Sequence, residues 1–466
     1  MSEAAGGGAG LVRVEAAQRR ILDLLGGAPL AASELVKTED SLGRILAQPV
    51  AAAVSLPPWD NAAMDGYAIR AADVADASET APARLAVVGE VAAGAAPTRN
   101  VKPGEAVRIA TGAPLPAGAD AVVQVELTTP IDASGAAGPR GRDAVGPLPM
   151  TVLVHAVVRS GANIRRAASD LVGGQRLLEA GTAMGPAQIA LVAGASIGMV
   201  TVHRRPVVGV LATGNELRRA GRMLGPAGIP DSNGPGLRAL VVRAGAEARD
   251  LGIAVDELDD VVACLRRGLT DGCDAIVVSG GVSVGPYDHV RTAFEQLGTV
   301  DLWRVAVQPG KPFALATVPR AAQDARARGS GKRRAGTGRP VLLFGLPGNP
   351  VSGFVTFELF VRPAIRSMAG RRDVFRPVDR GVLLDEARKS VGRRAYLRTT
   401  AERDADGAIS RDVSGRAKLR LASGPGGQGS HVLSALAAAD ALAIVPEAVE
   451  THEAGDPVDV LWLDAE

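Results

Sequence analysis

The sequence predicts a multidomain α/β protein whose central part is a doubly wound, mainly parallel, three-layer α/β domain. The first observation is the length of 466 residues, which is too great for one ordinary hydrophobic core. The second is the pattern after Arg205, where continuous apolar runs such as PVVGVLATG and DAIVVSGG alternate with amphipathic segments such as VDELDDVVACLRRGL. Apolar strands that alternate with helices are typical of a parallel sheet covered on both faces.

The hydrophobic patterns in the rest of the chain predict three further domains. Residues 11–51 and 152–204 are expected to form a discontinuous helical domain, since VRVEAAQRRILDLL and SLGRILAQPV carry apolar residues at helical spacing. Residues 52–151 contain short β-type runs such as ARLAVVG and AVRIATG, which predict an inserted β domain. The central domain then covers 205–373, and the short elements over 374–466 predict a C-terminal β domain.

Composition limits the function. A hydrophobic share of 47% and a charged share of 22% are typical of a globular cytoplasmic protein, and no apolar run is long enough to cross a membrane. The net charge of +2 and the aromatic share of 3% give no support for nucleic-acid binding. Cys264 and Cys273 are expected to be free buried thiols. The Arg-rich stretch at about 320–340 is predicted to be a disordered surface insertion, with a nucleic-acid or partner-binding tail as the alternative.

Residues suited to anion binding follow several strands of the predicted central sheet, where ligands bind in doubly wound folds. The segments GGVSVG and PGNPVS would let backbone N–H groups and helix N-termini approach an anion, with Asn349 or Ser352 as a helix cap and Pro350 in the first turn. Lys311, fixed between prolines in PGKP, is predicted to contact a phosphate or another oxyanion, the alternative being a solvated surface lysine. The other candidates at these strand ends are Gly280, Gly281, Ser283, Gly285 and Gly348.

Three acidic residues form a second group of candidates. Glu216, Asp231 and Asp288 each follow a predicted strand or precede a predicted helix, so they could converge on one rim of the sheet. Carboxylates beside phosphate-binding loops usually hold a hard divalent cation, typically Mg2+. The alternative is that each acid caps a helix, and Asp231 in PDSNGPG is the best case for a cap.

Eight segments, in order, resemble the motifs of the molybdopterin molybdenumtransferase family, whose eukaryotic relatives include the E domain of gephyrin. The segments are LPPWDNAAMDGYAIR, RIATGAPLPAGADAVV, TGNEL, DSNG, SGGVSVGPYD, QPGKPF, GLPGNPVS and GQGSH. The resemblance runs from about Leu11 to the C-terminus. It implies a cytoplasmic homodimer of four-domain subunits. It also implies a reaction in which adenylylated molybdopterin and molybdate bind, the adenylyl phosphate is cleaved with Mg2+, AMP leaves, and molybdenum remains on the dithiolene sulfurs.

The resemblance also implies roles for particular residues. Asp65 and Thr111 of the β domain would complete the active site of the other subunit, although the residues alone favour a tight hairpin turn at Asp65. Asp231 and Asp288 would hold Mg2+ near the adenylyl phosphate, with Glu216 as a third acidic position. The residues implied at the molybdate are Lys311, Pro312, Ser352, Ser430 and either Arg393 or Arg398.

One position departs from the family. Many members carry a lysine where this chain has Gln308, so attraction for the oxyanion should be weaker unless a nearby arginine such as Arg304 compensates. The rival interpretations are a molybdopterin adenylyltransferase, which shares the central domain, and a non-catalytic molybdopterin-binding scaffold. The expected partners are a second copy of the chain, an adenylyltransferase that hands over the substrate, and molybdoenzymes that receive the product.

Overall fold

A six-stranded mixed sheet occupies the centre of the protein. The computed structural model describes residues 10–26, 32–141, 146–282, 289–320, 339–422 and 427–464. The strands of the central sheet, in spatial order, are Glu247–Ala254, Val207–Thr213, Ala275–Ser279, Val341–Leu346, Ala314–Val318 and Thr299–Trp303. The first four strands pair in parallel, whereas Ala314–Val318 is antiparallel to both of its neighbours, Val341–Leu346 and Thr299–Trp303. The carboxyl ends of the parallel strands therefore meet at one edge.

Helices pack on both faces of this sheet. One apolar cluster joins Val210, Val277 and Phe344 to the helices on the first face. A second cluster joins Ile276 and Val278 to the helices on the other. The helices of the first face are Asn233–Arg243, Pro350–Thr356 and Arg362–Met368, the last two joined by a π-helical turn at Phe357–Val361, and those of the second are Leu258–Thr270 and His289–Leu297. Burial on both faces explains the continuous apolar strands, and the multidomain α/β prediction is confirmed.

The N-terminal helix Val14–Leu25 packs on the central domain rather than with residues 152–204. Its buried residues share the core of the first sheet face, and the Gln18 side chain donates a hydrogen bond to the Leu359 carbonyl at 3.0 Å. Assigning this helix to the discontinuous unit was therefore wrong. Its apolar stripe is the correct signal of a helix, but the stripe does not specify which surface it covers.

The discontinuous unit is mostly β structure, so the prediction of a helical domain is wrong. No helix forms at SLGRILAQPV, where Gly43 has a φ of +72° and Ile45 and Leu46 make isolated β-bridges. These tertiary contacts override the helical spacing. The unit pairs Ser33–Lys37 with Met199–His203, Val50–Ala51 with Arg176–Leu178, and Asn61–Ala62 with Ile164–Arg165, beside the helix Pro186–Gly194 and the 3-10 turn Thr38–Asp40.

The inserted domain is a six-stranded sheet around a core that contains the fully buried Tyr67 and Ile69. Its strands, in spatial order, are Ala121–Gln124, Gly66–Ile69, Glu105–Ile109, Ala83–Val91, Thr151–Val154 and Thr128–Ile131, with 3-10 turns at Ala71–Val74 and Val125–Leu127. The last strand of the chain in this sheet, Thr151–Val154, extends past the expected boundary at residue 151, and the domain boundaries stay predictions.

The C-terminal domain is a closed barrel, because the strand Arg394–Ala401 pairs with both the second strand of the sheet, Ala417–Leu421, and the last, Ala441–Val445. The barrel strands, in order, are Arg394–Ala401, Ala417–Leu421, Asp379–Leu383, Pro457–Trp462 and Ala441–Val445. The short strand Val307–Gln308 of the central domain adds to it by pairing with Arg394 and Ala395. The remaining elements are the strand pair Ala387–Arg388 with Thr451–His452, the helix Leu433–Ala437, and the strand pair Leu217–Arg218 with Ile229–Pro230 in the central domain.

Three further predictions can be compared with the structure. Cys264 and Cys273 are free and buried, as expected, and burial raises the pKa of the Cys273 thiol to about 11. In the described part of the chain, no helix combines the length and the apolar character that a membrane span needs. Most of the Arg-rich stretch, residues 321–338, lies outside the described residues.

Candidate active site

The carboxyl ends of the parallel strands enclose a cavity of about 670 Å3, here called the acidic cavity. Three carboxylate residues contribute to its wall, namely Glu216, Asp231 and Asp256. The other residues that line it are Thr213, Gly214, Leu217, Ile229, Pro230, Ser232, Asn233, Ser279, Gly280, Gly281, Val282, Pro312, Pro347, Gly348, Asn349, Pro350 and His431. Sequence-predicted candidates from five separate segments thus come together at one edge of the sheet.

Two glycines in this wall allow the backbone to pass close to its neighbours. Gly280 has a φ of +102°, and a Cβ there would lie 2.7 Å from the Thr213 carbonyl oxygen. Gly281 has a φ of +63°, and a Cβ there would lie 2.7 Å from a methyl group of Val290. Other residues rarely adopt this conformation, and none fits this space without movement. Ser283, Gly285 and Asp288 lie outside the described residues.

Asn233 joins three of the loops that form the cavity. Its side-chain NH2 donates to Ser279 Oγ at 2.7 Å and to the Gly348 carbonyl at 2.7 Å. Both side-chain donors of the amide are therefore used. Asn233 was not among the sequence-predicted candidates, although it is the third residue after Pro230 in the PDSNG segment.

Asp231 combines burial with a helix-capping bond. It is buried, and its Oδ1 accepts a hydrogen bond from the Gly234 N–H at 2.8 Å in the first turn of the helix Asn233–Arg243. The capping alternative raised by the sequence therefore holds for this residue. Glu216 is exposed on the same cavity wall, and Asp256 is a further acid that was not a sequence-predicted candidate.

The acidic cavity fits a magnesium ion that is shared with a ligand. No group of three or more His, Cys, Asp or Glu side chains with metal-binding geometry occurs among the residues that the structure describes, which exclude Asp288. Mg2+ in enzymes is commonly held by one or two carboxylates together with waters and substrate phosphates. Asp231 and Glu216 can supply those carboxylates.

A second cavity of about 450 Å3, here called the basic cavity, lies between the central domain and the barrel. The two cavities share Pro312. Lys311, Arg388 and Arg393 line the basic cavity, against one carboxylate residue, Glu386. The other lining residues are Gln308, Pro309, Gly310, Ser352, Ala387, Tyr396, Leu397, Leu421, Gln428 and Ser430. Lys311 is exposed, and its ammonium group makes no hydrogen bond to the described residues.

Ser430 connects the barrel to the wall that separates the cavities. The Asn349 side-chain NH2 donates to Ser430 Oγ at 3.0 Å, and the Val351 N–H donates to the Ser430 carbonyl at 3.1 Å. Asn349 occupies the predicted cap position with Pro350 next, but its side chain makes no capping bond because it is turned to Ser430. Ser352 is buried and lines the basic cavity.

The structure separates the two arginine alternatives. Arg393 lines the basic cavity and donates to Ser390 Oγ at 2.6 Å. Arg398 is fully buried and donates to the Gly427 and Val432 carbonyls. It therefore supports the GQGSH loop from beneath and is not among the lining residues. The sequence could not separate the two, since both lie on one strand or at its end.

Arg304, offered by the sequence as an arginine that could compensate for Gln308, is not placed to do so. Arg304 does not line the basic cavity, and its backbone carbonyl accepts a hydrogen bond from the Val12 N–H. Gln308 does line it, and its Oε1 accepts a hydrogen bond from the Ser390 N–H at 3.2 Å. Arg388 in the basic cavity and His431 in the acidic cavity also line the site, and neither was a sequence-predicted candidate.

Asp65 and Thr111 contact each other in the inserted domain. Asp65 Oδ1 accepts hydrogen bonds from the Thr111 N–H at 2.7 Å and from the Thr111 hydroxyl at 2.9 Å. Both residues are exposed, and neither lines the acidic or the basic cavity of its own chain. The hairpin alternative is wrong, because the strands on either side of Asp65 pair with other strands.

Three family models together match most of the chain. They are described as the MoeA N-terminal region (domain I and II) over residues 12–196, a probable molybdopterin binding domain over 209–367, and the MoeA C-terminal region (domain IV) over 380–463. The middle match contains the four parallel strands for nearly their whole length, and the last contains the barrel.

Named relatives and solved structures cover nearly the whole chain. The molybdopterin molybdenumtransferase of Nostoc sp. is 34% identical over 432 residues, 92% of this chain and 89% of that protein. The molybdopterin molybdenumtransferase of Bacillus subtilis is 34% identical over 440 residues, 93% and 90% of the two chains. A crystal structure of the molybdopterin biosynthesis MoeA protein of Pyrococcus horikoshii is 29% identical, with a TM-score of 0.72 over 98% of this chain and 100% of that one. The chain therefore belongs to the molybdopterin molybdenumtransferase (MoeA) family.

Proposed function

We propose that this protein is a molybdopterin molybdenumtransferase, which inserts molybdenum from molybdate into adenylylated molybdopterin with Mg2+-dependent release of AMP. The observation that carries the proposal is the pair of adjoining cavities of opposite charge that share Pro312. One substrate carries phosphates, which need a cation or N–H donors, and the other is an oxyanion, which needs positive side chains. Each cavity suits one of these ligands.

In the acidic cavity, Asp231 and Glu216, together with Asp288, would hold Mg2+ and the adenylyl phosphate. The glycine-rich ends of the strands would approach the ligand with backbone N–H groups. When bound, Mg2+ would withdraw charge from the phosphate oxygens and favour departure of AMP. The residues that would bind the pterin phosphates are Gly280, Gly281, Ser283, Gly285, Gly348 and Asn349.

In the basic cavity, Lys311 and Arg393 would attract molybdate, and Ser352 and Ser430 would donate hydrogen bonds to it beside Pro312. Molybdate and the substrate phosphates repel each other, so these cations would lower the energy of bringing them together. The two ligands would meet where the cavities adjoin. No side-chain nucleophile is needed for this arrangement.

We further propose a cytoplasmic homodimer in which Asp65 and Thr111 of one subunit complete the site of the other. In support, the Asp65 carboxylate is exposed beside Met64, and the nearby Trp59 is also about half exposed at 50%. Exposed apolar side chains next to a fixed carboxylate suit a subunit contact. The expected exchange partners are an adenylyltransferase that delivers the substrate and molybdoenzymes that receive the cofactor.

The proposal is tested by measuring AMP release from adenylylated molybdopterin, with Mg2+, in the presence and absence of molybdate. The wild type should release AMP faster with molybdate. Asp231→Asn should lower release by about 100-fold, because a carboxylate of the metal site is lost, whereas Asp170→Asn, an exposed control outside both cavities, should not. Tight pterin binding without release would favour the scaffold, and formation of adenylylated molybdopterin from ATP would favour the adenylyltransferase.

A further inference from the structure

The basic cavity contains a cation that was not among the sequence-predicted candidates, Arg388. It comes from the C-terminal domain, whereas Lys311 comes from the central domain, so both domains contribute a cation to the cavity. Arg388 lies on the short strand Ala387–Arg388, where it is paired with Thr451. This pairing fixes its backbone, and Ala387 on the other face of the strand is buried.

Glu386 orients the guanidinium of Arg388 and leaves its terminal N–H groups available to a ligand. Its Nε donates to Glu386 Oε1 at 2.8 Å. Its two terminal nitrogens make no hydrogen bond or ion pair to the described residues. A guanidinium held through Nε keeps its terminal N–H donors free to bind two oxygens of a tetrahedral anion.

The charge of the cavity makes this side chain matter. Gln308 is neutral, and its Oε1 already accepts the Ser390 N–H. Three cations, Lys311, Arg388 and Arg393, stand against the carboxylate of Glu386. Without Arg388, two cations would remain against that carboxylate, which is a weak field for a doubly charged oxyanion.

We propose that Arg388 is an oxyanion-binding residue of the basic cavity, oriented by Glu386, and that it supplies from the barrel the positive charge that position 308 lacks. The identity of the oxyanion as molybdate rests on the proposed function. The binding of a tetrahedral dianion by Arg388 rests on the cavity itself.

Calorimetric titration of the whole protein with molybdate tests the proposal. Arg388→Gln should bind molybdate about tenfold more weakly, the loss expected for one charge-assisted contact at an accessible site. Adding Gln308→Lys to this variant should restore most of the affinity, because it returns a cation to the same cavity. Arg380→Gln, which removes an exposed arginine of the barrel paired with Asp459, is the matched control and should bind as the wild type does.

The variant should fold, because the Arg388 side chain is 78% exposed and exposed ion pairs add little stability. Equal molybdate binding by Arg388→Gln and the wild type would overturn the proposal, and so would a double variant that stays as weak as the single one. A wild type that binds no molybdate would reject the molybdate site of the proposed function as well. Wild-type binding that Arg388→Gln leaves unchanged would reject the role of Arg388 alone.

Discussion

Gly280 illustrates how a single residue shapes the acidic cavity. Its φ of +102°, and the two Thr213 oxygens that would lie 2.7 Å from a Cβ at this position, both require a residue with no side chain. Gly280→Ala should therefore destabilise the protein by about 2–4 kcal/mol and weaken pterin binding, since it adds a steric clash to backbone strain. Urea denaturation and ligand titration measure the two effects.

Gly272→Ala is the control for this substitution. Gly272 also has a positive φ, of +82°, but nothing lies within 4 Å of a Cβ placed there. It should cost only about 1–2 kcal/mol, from backbone strain, and leave pterin binding unchanged. Equal losses for both variants would show that the close approach to Thr213 contributes nothing.

Asn233 predicts a different effect, because it joins loops rather than filling space. Asn233→Ala removes the bonds to Ser279 and Gly348 and should lower the free energy of unfolding by about 1–3 kcal/mol. AMP release should be slower in Asn233→Ala than in Ser279→Ala, since Ser279→Ala removes only one of the two bonds. If the two variants lose activity equally, the Gly348 bond does not position the loop.

At the scale of elements, the strands and helices of the central domain were predictable because continuous apolar strands alternate with helices whose apolar residues recur at helical spacing. The alternation reflects local chain geometry, which a sequence displays directly. The failure at SLGRILAQPV has the opposite cause. Ile45 and Leu46 satisfy the spacing of a helix but find partners in Ala183 and Val202, which are far away in the sequence.

The same distinction explains the arginines of the barrel. Arg393 and Arg398 have equal chemistry, and only the fold decides that one lines the cavity while the other is buried under the loop at 427–432. Asn349 gives a similar lesson, since its side chain bonds Ser430 of another domain instead of its own helix. Sequence patterns identify polar candidates, but the partners come from tertiary structure.

A hydrogen bond between two barrel strands predicts that the stability of the protein depends on pH. The Trp462 indole N–H donates to Asp379 Oδ2 at 3.0 Å and holds the pKa of the Asp379 carboxyl below its ordinary value. The unfolded chain therefore binds this proton more readily, so the stabilisation is present above the unfolded pKa of about 3.9 and is lost as pH falls through the folded pKa. In Asp379→Asn, the free energy of unfolding should therefore fall less steeply with falling pH below about pH 4.

The measurement is urea unfolding at several acidic pH values, followed by Trp462 fluorescence in a chain whose other two tryptophans, Trp59 and Trp303, are replaced by Phe. Asp459→Asn, which changes an aspartate on the same barrel strand as Trp462, is the control and should keep the wild-type slope. If Asp379→Asn also kept the wild-type dependence of the free energy of unfolding on pH, the role assigned to the bond between Trp462 and Asp379 would be contradicted.

At the scale of the whole molecule, both cavities depend on the junction between the central domain and the barrel. Val307–Gln308 adds to the barrel sheet, and Asn349 and Val351 hold Ser430 at the wall between the cavities. The sequence motifs named most of the candidate residues, yet no local pattern could state that the site lies between domains. Among the described candidates, Asp65 and Thr111 stand apart from this junction, since they line neither cavity of their own chain.

Their position leads to a test of the proposed dimer. Asp65→Asn and Lys311→Gln should each abolish most AMP release as pure homodimers. In a mixed dimer of the two variants, one site receives wild-type Asp65 from one chain and wild-type Lys311 from the other. Purified through two different affinity tags, this mixed dimer should show about half of the wild-type activity, since one of its two symmetric sites is intact.

A mixed dimer of Asp65→Asn and Thr111→Ala is the control. Both residues belong to the inserted domain and bond each other, so every site of that dimer receives one substitution and activity should stay low. Recovery in the first mixture and not in the second requires that the inserted domain of one subunit act on the cavities of the other. If neither mixture recovers, Asp65 acts within its own chain, and the inserted domain must then move to reach its own cavities.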